Sequence, residues 1–226
     1  MLGMDEAIQR IIKNLPREFF QQVAEETDAA FALAHLIARE KIDPQERRWA
    51  LPQLRHFLSE KALRQAAQNT GLVAHVPDTV PKGSCYSVVE HTGIFIIRSN
   101  VQAHCNPPRP ARFRQRWATL NKWMSPHQDD LFEFDEPHRK ISTERMCAML
   151  VVTANKSGDQ SIPAFVGLGI PSACLSTWLF LESVSTILAL FHDAEADMKQ
   201  PTEAPVEVKD RAVPKLKRRG ESNGQE

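Results

Sequence analysis

The sequence predicts an α+β fold: an N-terminal helical segment, then an antiparallel sheet of about four strands in ββα-ββα order, then a disordered C-terminal tail. Three observations carry this. The first 70 residues keep helical periodicity, with punctuation suited to helix ends. From Cys85 onward, β-branched and aromatic runs alternate with turn residues. After Met198 the chain has few apolar residues and many charges, a composition that buries too little apolar surface to offset ordering. The expected organisation is a helical segment over residues 1–72, an α+β domain over 80–198 and a flexible charged tail over 199–226.

Asp5 to Asn14 reads as a helix with Ile8, Ile11, Ile12 and Leu15 on one face, ended by Pro16. Glu18 to Glu40 follows, with a stripe of Phe20, Val23, Phe31, Ala34 and Ile37. "IDPQE" opens a third helix: Asp43 suits the cap, Pro44 the first helical position, and Glu46 the third residue beyond the cap. That helix is expected to bend at Pro52 and to stop at Gly71.

"CYSVVEHTGIFIIRSNV" reads as a hairpin, Cys85–Glu90 and Ile94–Val101, turning at His91-Thr92-Gly93. Arg145–Thr153 is apolar on both faces and so belongs in the middle of the sheet, with Ala164–Leu168 as its partner. Leu175 to Met198 reads as a closing helix, with Leu181, Val184, Leu188 and Phe191 on one side.

The chain has 226 residues, equal numbers of acidic and basic side chains, and a pI near 7.1. That balance excludes nucleic-acid binding by bulk charge; any such binding needs a local patch. Four cysteines, none in C-x-x-C spacing, together with an N-terminus lacking an apolar signal core, suggest reduced thiols and a cytoplasmic protein. Gln160 to Leu181 carries no charge and approaches membrane-span length, but its prolines and glycines favour strand, turn and core helix, so no membrane partner is expected. "VGLG" runs into Ile170-Pro171 and is no dinucleotide fingerprint. His104, Cys105, His127, Asp129, Asp130 and His138 lack the paired short spacings of zinc sites, so no metal and no cofactor is expected.

The local patch is "RPARFRQRWATLNKW". Phe113, Trp117, Leu120 and Met124 fall on one helical stripe, which leaves the arginines outward. No Asp or Glu occurs between His91 and Gln128, whereas Arg98, Arg109, Arg112, Arg114, Arg116 and Lys122 all do. Two readings follow: a solvated helix back, or a face for phosphates, which arginine forks bind bidentately. Five acids from Asp129 to Glu136 either fold back on the arginines or leave them free. The tail adds "KDRAVPKLKRR", six basic residues and one acid.

The expectation is a protein that contacts DNA or RNA through Arg98, Arg109, Arg112, Arg114, Arg116, Lys122 and the basic tail. One alternative is a non-catalytic interaction subunit that assembles with itself or a partner protein through its N-terminal helices. The other is a hydrolase or nuclease-like enzyme near Arg98, His104 and Cys105, where a thiolate beside arginines would be activated.

Overall fold

The computed structural model describes residues 2–79, 85–103, 106–124 and 144–199. The helical N-terminus forms as its periodicity demands: α1 is Leu2–Asn14, α2 Arg17–Lys41 and α3 Arg47–Asn69. Pro52 lies inside α3. At the end of α3, Gly71 takes φ +73°, open to it for lack of a Cβ. Gly71 N–H then bonds the Gln68 carbonyl at 3.2 Å and Leu72 N–H the Ala67 carbonyl at 2.8 Å, a Schellman stop that reverses the chain into the sheet.

The fold is α+β, but the sheet differs from expectation in size and sense. It has six strands, β1 Val73–His75, β2 Val88–His91, β3 Ile94–Val101, β4 Met146–Ala154, β5 Pro163–Pro171 and β6 Trp178–Ser183, paired in chain order. It is mixed rather than antiparallel, because β3 and β4 run parallel. The link between them carries α4, Arg112–Ala118, and a 3₁₀ turn, Thr119–Met124, so that β4 re-enters in the direction of β3. Three-residue β1 is too short to register as a pattern. The β2–β3 hairpin forms, but β2 begins at Val88 rather than Cys85 and includes His91, which pairs with Ile94; the turn is therefore Thr92-Gly93, both at positive φ, as a two-residue primed turn requires.

The closing helix also starts later than expected. Trp178–Ser183 pairs with β5, and α5 runs Val184–Lys199. Ser183 Oγ accepts the Thr186 N–H at 3.1 Å, which makes Ser183 the cap. The expected stripe failed because Leu181 on β6 falls in helical phase with Val184 only by coincidence. "VGLG" is part of β5. The stretch from Gln160 to Leu181 is two strands and their connection, and no described helix is long and apolar enough to cross a membrane. The tail after Lys199 lies outside the described residues.

Both faces of the sheet are covered. Ile94, Ile96, Met146, Ala148, Leu150, Val152 and Leu168 join a core with Phe19, Phe20, Leu63 and Phe191 of α2, α3 and α5. Phe95, Ile97, Cys147, Met149 and Val151 face the other way, toward Phe113, Trp117 and Leu120. This two-sided burial is why β3 and β4 read as continuous apolar runs. Asn121, fully buried, completes the ladder where β5 ends. Its Nδ2 donates to the Cys147 and Pro171 carbonyls, and its Oδ1 accepts the Cys147 N–H.

Candidate functional site

Because β3 and β4 are parallel, their carboxyl ends reach the same edge of the sheet. Asn100, Val101, Val152 and Ala154 there form one wall of a cleft of about 950 Å³. The other wall is the α2–α3 hairpin, through Phe31, His35, Ala38 and Arg39 on α2 and Arg48, Leu51, Pro52 and Arg55 on α3. Crevices outside the carboxyl ends of parallel strands are common ligand sites in open sheets.

The charge of this cleft is one-sided. Arg39, Arg47, Arg48, Arg55, Arg109 and Lys156 line it, and no Asp or Glu does among the described residues. Within the same set, only Arg39 makes an ion pair, with Glu40 at 3.5 Å. Asp159 stands near His35, but Ser161 occupies its carboxylate through both hydroxyl and N–H.

Several cations are held in place. Arg47 donates to the Ile42 carbonyl at 2.9 Å and the Arg39 carbonyl at 2.7 Å, so its guanidinium caps the C-terminal end of α2. Arg48 lies 3.8 Å from the Trp49 ring centroid. Arg55 is only 8% exposed, lies over the Phe31 ring and donates to the Gln160 carbonyl. Its Nε is buried without a hydrogen-bond partner, as is His35 Nδ1. Burial lowers the Arg55 pKa, the signature of a positive charge kept from water.

A buried network fixes the strand wall. Glu60 on α3 accepts Arg98 Nε at 3.1 Å and the Ser87 N–H at 2.7 Å. Arg98 also donates to Asn100 Oδ1 and to His56 Nδ1, the latter at 2.6 Å. With its oxygen thus engaged, Asn100 has its NH₂ left to offer. Burial, then Arg98, lowers the His56 pKa, so His56 is neutral at pH 7 and accepts.

The residues singled out from the sequence divide into three groups. Arg98 is 2% exposed and committed to Glu60, so it is a wall-fixing residue and not a surface contact. Arg114 is half-buried and donates to the Arg98 and Arg109 carbonyls; burial, with Arg98 nearby, lowers its pKa to about 10. Arg109 is exposed and lines the cleft. Arg112, Arg116 and Lys122 are exposed on α4 and the 3₁₀ turn and are not among the cleft residues. The stripe of Phe113, Trp117 and Leu120 packs as read, with Trp117 stacked on Phe95 at 4.8 Å. Met124 packs on the opposite core. His104, Cys105 and Asp129 to Glu136 lie outside the described residues. Of the remaining cysteines, Cys147 is buried, whereas Cys174 is exposed and its pKa is lowered to about 7 by the hydroxyls of Ser176 and Ser172.

Sequence reasoning missed Arg39, Arg47, Arg48, Arg55 and Lys156. Glu40, Asp43 and Glu46 balance Arg39, Arg47 and Arg48 along the chain, and Arg55 and Lys156 stand as single cations in their own stretches. The usable signal was the face of α3: Arg48, Leu51, Pro52 and Arg55 share one side, so a cation sits on an apolar stripe. No family model, no curated protein and no solved structure matches this chain.

Proposed function

We propose that this protein binds nucleic acid in the cationic cleft, with Arg112, Arg116 and Lys122 adding outlying phosphate contacts. The observation that carries the reading is Arg55: a buried guanidinium in a wall that holds no carboxylate among the described residues, flanked by five further cations. A buried charge without a counter-charge is costly, and an anion supplied by a ligand relieves that cost. Arginine forks match phosphate oxygens, and a local cluster gives such binding to a chain of zero net charge.

The test is fluorescence anisotropy with labelled DNA and RNA across a salt series. Affinity should fall linearly in log–log form, and Arg48→Ala with Lys156→Ala should flatten the slope by about 0.7–0.9 for each phosphate contact removed. Absence of salt-sensitive binding by the unaltered protein, or an unchanged slope in the variant, refutes the reading.

A second reading, assembly with another copy through the N-terminal helices, is supported by four exposed apolar side chains. They are Leu33 and Leu36 on α2 and Trp49 and Phe57 on α3, each at least 40% exposed. Sedimentation of the unaltered chain and of Phe57→Ser tests it: a monomer in both removes it.

A further inference from the structure

The walls of the cleft carry more than charge. The exposed cations Arg39, Arg48, Arg109 and Lys156 surround an interior of buried apolar groups, chiefly Phe31 and Val152. Amides of Asn100 and Gln102 stand beside them. A ligand made only of anionic groups would satisfy the exposed cations and leave that floor wet. A duplex keeps its bases stacked inside and presents mainly its backbone to a cleft of this kind. A nucleotide has both parts the walls ask for: phosphates for the cations, and a flat, apolar base with donors and acceptors at its edge for the interior. The volume, about 950 Å³, is near the upper end for small-ligand pockets and holds one or two nucleotides rather than a helix.

We infer that the cleft takes single-stranded nucleic acid, with a base inserted against Phe31 and Val152, where the Arg55 guanidinium lies over the Phe31 ring. This rests on the cleft being the nucleic-acid site and adds the part of the ligand that the site reads. Phosphates bind at the exposed cations. The base edge is met by the Asn100 NH₂, which the Arg98 contact leaves available.

The experiment compares four probes on the unaltered full-length protein at one salt concentration: a single-stranded octamer of deoxythymidine or uridine, an abasic octamer of equal charge, a duplex of equal length, and a free nucleoside triphosphate. The single strand should bind about tenfold or more tighter than the abasic strand, the fold-change one stacked base supports. It should also exceed the duplex and the free nucleotide. Ala154→Leu, which narrows the interior from the strand wall, should erase the advantage of the single strand over the abasic strand while keeping the binding of both. Equal binding of single-stranded and abasic octamers overturns base insertion but leaves phosphate binding standing. Duplex binding as tight as single-strand binding does the same. A free nucleotide that matches the octamer overturns the strand as ligand. If none of the four binds, the nucleic-acid reading itself falls.

Discussion

Replacing Glu60 by Ala tests the buried network that fixes the cleft wall. The Glu60 and Arg98 side chains are 4% and 2% exposed and meet at 3.1 Å. Removing the carboxylate leaves the Arg98 charge inside the protein with only Asn100, His56 and backbone oxygen as partners. Stranding one member of a buried pair costs about 3–5 kcal/mol. The Ser87 N–H loses its acceptor too, worth about 1–3 kcal/mol if no water replaces it. Allowing for neutral partners and water entry, the expected loss is about 4–6 kcal/mol. For a chain of this length that is a fall in Tm of roughly 10–20 °C. Urea denaturation gives the free energy and thermal circular dichroism the Tm. The double change Glu60→Met with Arg98→Met should be less destabilised than Glu60→Ala alone, because no charge is then left buried. A loss under about 1 kcal/mol for Glu60→Ala, or a double variant worse than the single, would refute a charge buried and held by this contact.

Three further outcomes are expected. His56 has a folded pKa below its ordinary 6.5, so the unfolded chain binds its proton more readily; its contribution is fully present above pH 6.5 and is lost as pH falls through the folded pKa. Unfolding at pH 7 and pH 5 should therefore show a loss of stability that His56→Asn reduces, and an equal loss in that variant would disprove it. Asn121→Ala should cost roughly 3 kcal/mol, since it strands the Cys147 N–H and two carbonyls, and denaturant melts showing under 1 kcal/mol would contradict this. Cys174 should react with iodoacetamide with a midpoint near pH 7, Ser176→Ala should move the midpoint up, and Cys147 should react only on unfolding; an unmoved midpoint means that the hydroxyls do not stabilise the thiolate.

The sequence by itself determined what rests on neighbours along the chain. The helices at residues 2–69 follow from periodicity and from Pro16 and Gly71. The hairpin at Thr92-Gly93 follows from turn chemistry, and the central place of β4 from an apolar run on both faces. The stripe of Phe113, Trp117 and Leu120 belongs with these.

Only tertiary structure decided the rest. The sense of β3 against β4 depends on how a long link returns, which no local pattern encodes, and β6 was hidden because a short apolar run has no period to separate strand from helix. The cleft is likewise a product of assembly. Arg39, Arg48, Arg55 and Lys156 come from α2, α3 and the β4–β5 connection, each beside acids or apolar residues that mask it along the chain, and only folding brings Arg109 alongside them. Arg98 shows the converse: a cation in an acid-free stretch of sequence meets Glu60, 38 positions away, inside the core. Charge acts through space over a few ångströms, and folding, not sequence order, sets which charges come that close.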